Sequence, residues 1–486
     1  MIKLTKDQEV AVNAMVEFLR GDVYDEPFTL AGVAGAGKTF SIKEALRGRS
    51  NVVGAVISHS ARLVLGESLE GVAKCITVAQ LLGLTMIVKD DGEIDFKPNR
   101  NRSPEWPLPI DSAAILIIDE CSMIDLSMHK MIMSMKPKDC KVIYMGDEYQ
   151  LPPISSDSDS PTFKYTKARL NTAVRYSGPI ADLGDRIKSE IDKINKDTDG
   201  GDGGAIPHVI NSWMYELDED GRTSRVNEDG SGYIFINDIN KMIEISTSAF
   251  RNEGDPDDMR LIAYRNKTVT KLNNVIRAQT HKKDEYIIDG KLSLPEFVKG
   301  ELVICDGGYN VSAMTDNGIR KFNVIYNNQT FKVKDTMKIM GPQDIPCMAM
   351  SLDPPPPLPD GTEIYVMDYN NKEGRTKYFN TTNALKARAK ESSKGADWAA
   401  HYSYLANFAK FDYNYAQNAY RAQGRTYKDI IVFDNDIISV TKNKLKAKLQ
   451  AMYVSCTRAK NLVFIYNKKY AVNQNELPKE IREKYG

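Results

Sequence analysis

The sequence is poor in metal-binding and cross-linking residues: it has six cysteines and five histidines among 486 residues, and no C-x-x-C pair. This spacing predicts reduced thiols and argues against a disulfide framework or a zinc site. No apolar run approaches the length of a membrane span, and the N-terminal stretch MIKLTKDQEV lacks the apolar core of a signal peptide. We therefore expect a cytoplasmic protein without a membrane partner.

The sequence also lacks net charge, since Lys and Arg together number 65 and Asp and Glu together number 65. A globally basic surface is thereby excluded, so an anionic polymer would have to bind in a local groove. The hydrophobic share of 42% is typical of globular proteins. A chain of this length exceeds what one hydrophobic core usually holds, and we expect two to four domains.

The most specific pattern is the glycine-rich stretch GVAGAGKT, which follows a short apolar run and precedes a segment of helical character. Strand, glycine loop and helix in this order predict a phosphate-binding loop. Gly32, Gly35 and Gly37 would let the backbone N–H groups face phosphate oxygens, and the helix N-terminus adds its positive dipole end. Lys38 is predicted to reach the β- and γ-phosphates and Thr39 to ligate Mg²⁺. A tight strand-to-helix turn is the alternative for the glycines alone.

Two carboxylates, Asp119 and Glu120, end a continuous apolar run at residues 113–118. Such a run predicts a buried strand of a parallel sheet, and open α/β sheets bind ligands at the carboxyl ends of their strands. Asp119 would hold Mg²⁺, and Glu120 would polarise the water that attacks the γ-phosphate. A solvated turn is the alternative for this pair when it is considered without the glycine loop.

The segment GDEYQLPP follows the apolar strand at residues 142–145 and resembles the G-D-x-x-Q-L-P-P motif III of superfamily 1 helicases. The resemblance implies that ATP and Mg²⁺ are cofactors and that Gln150 senses the γ-phosphate. A polar turn stiffened by two prolines is the alternative. The resemblance extends to LTKDQ, similar to the Q motif, in which Gln8 would read the adenine edge. Helix capping by Thr5 competes with this role, and the two can hold together.

Two arginines resemble the family's charge donors to the γ-phosphate. Arg175 lies in LNTAVRY, similar to motif IV, and Arg458 lies in the longer match MYVSCTRAK, similar to motif VI. Such arginines stabilise the charge of the transferring phosphoryl group. A surface charge is the alternative for either residue. The Q-G core of motif V supplies Gln423 and Gly424 as further nucleotide-site residues.

The same resemblance implies a set of DNA contacts. Ser58 and His59 in ISHSAR are similar to motif Ia, and Thr77 in CITVAQ to the next strand-contacting motif. Helix capping explains these side chains as well. In motif V the sequence departs from its relatives, which generally carry Thr and His where Asn418 and Tyr420 stand. We retain both as DNA-binding candidates, Tyr420 because its ring could stack on a base or sugar.

Within superfamily 1, the segments 260–267 and 323–333 and the short insertion near residues 84–109 resemble the Dda and RecD-like branch, superfamily 1B. The implied fold is α/β, with two RecA-like P-loop NTPase cores, a small β-hairpin insertion called the pin, and an SH3-like inserted domain. The pin would present Ile94 or Phe96 to the duplex, and a purely structural hairpin is the alternative. The predicted boundaries are 1–83 and 111–172 for core 1, 84–110 for the pin, 173–290 and 412–486 for core 2, and 291–411 for the inserted SH3-like and helical domain.

The resemblance thus predicts an ATP-dependent, 5′ to 3′ single-stranded DNA translocase and DNA helicase of phage replication or recombination. It would act as a monomer on single-stranded and fork DNA, with single-strand-binding protein and replisome or recombination proteins as candidate partners. An RNA helicase, or a translocase that does not separate strands, is an alternative. A nucleotide-gated DNA-binding or loading module is an alternative of another class, which an intact Glu120 disfavours because a binding switch needs no positioned base.

Overall fold

The computed structural model describes residues 4–89, 94–98, 107–154, 158–172, 178–199, 224–251, 257–281, 287–288, 291–292, 294–315, 318–440 and 445–468. Arg175, the turn at residues 90–92 and the side chain of Ile94 lie outside the described part. The chain divides into two compact units. Unit 1 comprises residues 1–82, 107–276 and 415–486, and unit 2 comprises residues 83–106 and 277–414. The domain boundaries drawn from the sequence stay predictions.

Residues 4–172 form a parallel sheet with helices and a separate hairpin. In chain order the elements are α1 (Lys6–Arg20), β1 (Phe28–Gly32), α2 (Lys38–Ala45), β2 (Val52–Val56), α3 (His59–Ser68), β3 (Lys74–Thr77), α4 (Val78–Leu81), β4 (Leu84–Val88), β5 (Ile94–Pro98), β6 (Ile115–Ile118), α5 (Leu126–Met135), β7 (Lys141–Gly146) and β8 (Thr166–Leu170).

The first sheet of unit 1 has the strand order β3-β2-β6-β7-β1-β8, and every neighbouring pair is parallel. All four residues of β6 are buried, as expected for a central strand covered on both faces. The three strands that precede the predicted site segments lie side by side in the sheet, in the order β6-β7-β1. The fold therefore brings the carboxyl ends of these three strands to one edge of the sheet.

The next stretch of the chain starts the second sheet. Its elements are α6 (Pro179–Asp199), β9 (Arg225–Val226), β10 (Gly232–Ile236), α7 (Ile239–Arg251), β11 (Met259–Ala263) and α8 (Asn266–Thr280). Residues 287–413 then form β12 (Ile287–Ile288), β13 (Lys291–Leu292), β14 (Leu302–Cys305), β15 (Tyr309–Thr315), β16 (Gly318–Ile325), β17 (Thr330–Met340), β18 (Pro346–Asp353), β19 (Tyr365–Val366), α9 (Lys372–Ser392), α10 (Gly395–Leu405) and β20 (Phe411–Tyr413).

The C-terminal part of unit 1 completes the second sheet. Its elements are β21 (Ala416–Asn418), α11 (Ala419–Ala422), β22 (Tyr427–Phe433), α12 (Asp434–Val440), α13 (Leu445–Cys456) and β23 (Ala459–Tyr466). The strand order is β21-β11-β22-β23-β10-β9, parallel except for β9. We call the part of unit 1 that carries the first sheet its first half and the part that carries the second sheet its second half. The buried cluster on the second sheet also includes Ala34 and Leu151 from the first half. The α/β fold with parallel sheets, predicted from the sequence, is confirmed.

In unit 2, the five-stranded sheet β19-β18-β17-β14-β20 is antiparallel, and β15 pairs with β16 as a separate ribbon. The segment 323–333, treated as one feature in the sequence, is therefore divided between the ribbon and the sheet. The helical part of the inserted domain predicted at 291–411 consists of two helices, α9 and α10, because Ser393 turns to φ 50° between them. Tyr404 and Phe408 are buried there in one cluster. None of the described helices is long and apolar enough to cross a membrane.

Candidate nucleotide site

The glycine loop joins β1 to α2 as predicted. Gly35 and Gly37 have φ values of 75° and 82°, which favour glycine. A Cβ atom on Gly37 would lie 2.6 Å from the Gln8 amide nitrogen. Lys38 is the first residue of α2, and its ammonium donates to the carbonyl oxygens of Gly32 (2.8 Å) and Val33 (3.1 Å). The lysine therefore lies at the mouth of the loop beside the N-terminus of α2.

Gln8 connects α1 to the loop. It is the third residue of a capping box with Thr5, and its Oε1 accepts from the Thr5 backbone N–H at 3.0 Å. Its Nε2 donates to the Ala36 carbonyl at 3.0 Å, and the side chain is buried. The capping alternative considered for this segment is confirmed. The same amide also holds the glycine loop, a contact that the sequence did not indicate.

Asp119 and Glu120 follow β6, where they were predicted. Burial raises the pKa of the Asp119 carboxyl, the neighbouring Glu120 carboxylate raises it further, and the Lys38 ammonium opposes both effects. Glu120 adopts left-handed backbone geometry with φ 52°, and its N–H donates to Asp119 Oδ1 at 2.8 Å. A half-buried carboxylate with a raised pKa beside a second carboxylate is a favourable place for a cation.

The donor set around this carboxylate pair is small. Among the described residues, no group of three or more His, Cys, Asp and Glu side chains is arranged to hold a metal ion. Mg²⁺ is commonly bound through one or two carboxylates and completes its shell with phosphate oxygens and water. The residues present, Asp119 and the Thr39 hydroxyl in the first turn of α2, therefore fit Mg²⁺ that arrives with a nucleotide.

Gln150 lies between the two halves of unit 1 and is 4% exposed. With its amide oriented to satisfy both neighbours, its nitrogen donates to Glu120 Oε2 at 3.1 Å and its oxygen accepts from Arg458 Nη2 at 3.3 Å. The Gln423 amide lies 3.4 Å from the Gln150 amide. Glu120, Gln150 and Arg458 thus form one hydrogen-bonded network beside the acidic strand end, with the Gln423 amide next to it.

Arg458 is held at the C-terminal end of α13. Its Nε donates to the Val454 carbonyl at 3.2 Å and its Nη1 to the Arg425 carbonyl at 3.4 Å, and it is 3% exposed. Gly424 lies next to Glu120, since a Cβ atom on this glycine would be 3.5 Å from Glu120 Oε1. Its φ of 73° favours glycine at this position. The motif V and motif VI segments are therefore assembled against the acidic strand end.

The candidate DNA contacts on the first sheet are engaged in helix capping. Ser58 Oγ accepts from the Ala61 N–H at 3.2 Å at the start of α3, and Thr77 forms a capping box with Gln80 at the start of α4. Burial and, to a lesser extent, the nearby Arg62 charge lower the pKa of His59 to about 4, so the imidazole is neutral at physiological pH. The capping alternative is confirmed for Ser58 and Thr77.

The motif V candidates also have protein contacts. Asn418 caps α11 by accepting from the Arg421 N–H at 2.8 Å, and its Nδ2 donates to Asn266 Oδ1 at 2.6 Å. The ring of Tyr420 packs against Tyr264 with centroids 6.4 Å apart. Both residues thus lie at the carboxyl ends of β11 and β21, two neighbouring strands of the second sheet.

Three residues near the site were not selected from the sequence: Asp147, Tyr149 and Tyr453. The Tyr453 hydroxyl donates to Asp147 Oδ2 at 2.9 Å and accepts from the Ala34 N–H at 3.3 Å. Tyr149 packs edge-on against Tyr453. The available signal was their position inside the motif III and motif VI segments, but nothing local indicated that the two segments meet.

The chain is similar in sequence to several known proteins. The family model described as an AAA domain matches residues 3–189. The ATP-dependent DNA helicase Dda of Enterobacteria phage T4 is 24% identical over 301 residues, 60% of this chain and 60% of that protein. The RecD subunit of the RecBCD enzyme of Buchnera aphidicola is 42% identical over 83 residues, 17% of this chain and 12% of that protein.

Among solved structures, the Pif1 helicase from Bacteroides in complex with ADP-AlF3 and ssDNA has a TM-score of 0.46 and 14% identity, and the match covers 99% of this chain and 96% of that one. The chain spans less than two thirds of the length of Dda. The region matched by the AAA domain contains the glycine loop, the acidic strand end and Gln150. With motif VI assembled against the same site and with Dda and RecD as relatives, the resemblance to superfamily 1B helicases is supported.

Proposed function

We propose that this protein is an ATP-dependent DNA helicase that moves 5′ to 3′ along single-stranded DNA. The observation that carries the proposal is the buried network in which Gln150 contacts Glu120 on one side and Arg458 on the other. A site built from both halves of unit 1 can convert nucleotide turnover into relative movement of those halves. The relative Dda, an ATP-dependent DNA helicase, supports the same activity.

In the proposed nucleotide site, Gln8 and the loop glycines Gly32, Gly35 and Gly37 shape the cradle for ATP. Lys38 neutralises phosphate charge, and Thr39 and Asp119 hold Mg²⁺, which when bound neutralises charge that develops on the phosphates. Gln423 and Gly424 border the site from the second half.

The proposed chemical step is attack of water on the γ-phosphate. Glu120 orients and polarises that water. It follows β6, and its carboxylate lies within hydrogen-bonding distance of the Gln150 amide. Gln150 relays the presence of the γ-phosphate. Arg458 supplies positive charge to the transferring group. Arg175 is proposed for the same task on the strength of its motif IV resemblance.

The proposed DNA track runs over Ser58, His59 and Thr77 on the first half and Asn418 and Tyr420 on the second. The backbone N–H groups at the start of α3, which Ser58 caps, suit phosphate, and Thr77 is retained on the strength of its motif resemblance. The neutral His59 can donate a hydrogen bond without adding charge. Grip through backbone phosphates and ring faces would be independent of sequence and weakened by salt.

We also propose that the hairpin of β4 and β5 is a pin and that the five-stranded sheet of unit 2 belongs to an SH3-like inserted domain, beside two RecA-like cores. Within unit 2, β4 contacts α10, which would brace the hairpin. Phe96 on β5 is 57% exposed, and its cross-strand partner is Met86. An exposed ring on a braced hairpin is suited to stack on the terminal base pair of a duplex.

Replacing Phe96 with alanine should slow duplex unwinding by about tenfold, which is the effect of losing one stacking contact between an aromatic ring and a base. The rate of DNA-stimulated ATP hydrolysis should stay at the wild-type value. The matched control is Ile87→Ala, because Ile87 is an exposed apolar residue one position from Met86 and thus on the opposite face of the hairpin. Fork unwinding and hydrolysis are measured on the same preparations. Equal unwinding by the Phe96 and Ile87 variants would remove the pin role from Phe96.

Direction and substrate are tested together on duplexes that carry a single-stranded tail at either the 5′ or the 3′ end, with matched RNA duplexes. We expect unwinding of the 5′-tailed DNA only. Unwinding of RNA would favour the RNA helicase alternative, and DNA-stimulated hydrolysis without unwinding would favour a translocase. DNA binding that depends on nucleotide but occurs without hydrolysis would favour a loading module.

The proposed setting is phage DNA replication or recombination in the host cytoplasm, with the protein acting as a monomer on single-stranded and fork DNA. Single-strand-binding protein and replisome or recombination proteins are the proposed protein partners. The phage relative Dda supports this setting.

A further inference from the structure

Tyr453 lies on α13 and is fully buried. Its hydroxyl donates to Asp147 Oδ2 at 2.9 Å and accepts from the Ala34 backbone N–H at 3.3 Å. Ala34 belongs to the glycine loop, and Asp147 follows β7 in the motif III segment. One hydroxyl therefore joins three segments, two from the first half of unit 1 and one from the second.

The ring of Tyr453 extends this junction. It packs edge-on against Tyr149, with centroids 6.0 Å apart. The Tyr149 hydroxyl in turn donates to Asp192 Oδ1 on α6 at 3.1 Å. The Asp147 carboxylate is oriented by the Tyr149 N–H, which donates to its Oδ1 at 3.1 Å. The junction is therefore a fixed arrangement of buried groups, and the hydroxyl is its only link to the glycine loop among the contacts just described.

Tyr453 and Arg458 are joined through the end of the same helix. The Tyr453 carbonyl accepts from the Thr457 N–H at 3.0 Å and from the Thr457 hydroxyl at 2.7 Å. Arg458 follows Thr457 directly, and its own Nε is held by the Val454 carbonyl. Any shift of the Tyr453 backbone therefore changes the position from which Arg458 reaches toward Gln150.

We propose that Tyr453 is a positioning residue that fixes the motif VI helix to the glycine loop and to Asp147. Arg458 is thereby held at a fixed position relative to the loop that binds the triphosphate. This inference rests on the proposed function, since it concerns the same ATP site. A hydrogen bond from a neutral hydroxyl to a buried carboxylate is strong and directional, which suits a positioning contact. Tyr453 acts through Arg458 and need not touch the substrate.

The test is Tyr453→Phe, which keeps the ring and its packing on Tyr149 and removes only the hydroxyl. We expect kcat for DNA-stimulated ATP hydrolysis to fall by about 10- to 100-fold, the effect of one lost hydrogen bond to a charged group, with KM for ATP unchanged. The matched control is Tyr144→Phe, because Tyr144 is an equally buried tyrosine whose hydroxyl bonds to His129 within the first half. That control should retain the wild-type kcat.

Asp147→Asn tests the same contact from the other side and serves if the tyrosine variant unfolds, as judged by thermal unfolding. Because both changes weaken one hydrogen bond, the double variant should lose little more than either single variant. Independent, multiplicative losses would overturn the inference, and so would a wild-type kcat in Tyr453→Phe or a loss confined to KM. Failure of the proposed function looks different, since the wild-type protein itself would then show no stimulation by DNA.

Discussion

Replacing Arg458 with alanine should lower kcat for DNA-stimulated ATP hydrolysis by about 10³- to 10⁵-fold, the range found for loss of a charge donor at a transferring phosphoryl group. Arg458 is buried beside Gln150, and its guanidinium is held by two backbone carbonyls, so its charge is already oriented before the reaction. Preoriented charge acts mainly on the transition state. Nucleotide affinity should therefore change little, as measured with a fluorescent ATP analogue.

Two further variants sharpen this result. Arg458→Lys keeps the charge but loses the planar fork that contacts the Gln150 oxygen and the carbonyls, so it should restore only part of the rate. Lys460→Ala removes one positive charge two residues further along, from an exposed position on β23, and should behave as wild type. If Arg458→Ala kept a rate comparable to that of Lys460→Ala, Arg458 would not be the charge donor.

Replacing Lys38 with alanine should reduce DNA-stimulated hydrolysis by about 10²- to 10³-fold or more, as expected when a group that stabilises transition-state charge is removed. The fold should persist, because among the contacts described the Lys38 ammonium bonds only to carbonyl oxygens of its own loop. Alanine is also a favourable residue in a helix. Here nucleotide affinity should fall as well, since the lysine faces the phosphates in the bound state as well as in the transition state.

The control for Lys38 is Lys43→Ala on the same helix. Lys43 donates to the Ser68 carbonyl at 3.0 Å, away from the loop, so its removal deletes an equal charge without touching the site. Circular dichroism and thermal unfolding of both variants establish that each is folded. Turnover retained in the Lys38 variant would refute the assignment of the phosphate-binding loop.

The parts of the site that could be predicted are those in which a local pattern determines the structure. The apolar runs before Gly32, Asp119 and Gly146 become β1, β6 and β7, because continuous burial on both faces suits only a central parallel strand at that length. Because ligands bind at the carboxyl ends of such strands, the residues that follow these strands could be predicted to share one site.

Helix caps show how a correct local pattern can support two interpretations. Ser58, Thr77 and Asn418 each precede a helix, and each caps it. The family resemblance assigned the same residues to DNA, and a cap does not remove that role because a side-chain oxygen can accept more than one hydrogen bond. Local sequence cannot separate the two functions, since both need a small polar side chain at a helix start.

The junction at Tyr453 could not be predicted, because Tyr149 and Tyr453 belong to segments that are far apart in the chain. Their contact depends on how the two halves of unit 1 pack, and periodicity within either segment carries no information about it. The division of residues 323–333 between β16 and β17 has a similar cause. Strand character was evident there, whereas sheet membership is set by pairing with distant strands.

The central claim is that one ATP site, shared by two halves of the protein, responds to single-stranded DNA. The most direct measurement is the steady-state rate of ATP hydrolysis by the wild-type protein, with Mg²⁺, in the absence and presence of saturating oligodeoxythymidine. We predict a low basal rate and a large increase with the oligonucleotide, abolished in Lys38→Ala. A rate that is the same with and without the oligonucleotide would contradict the account.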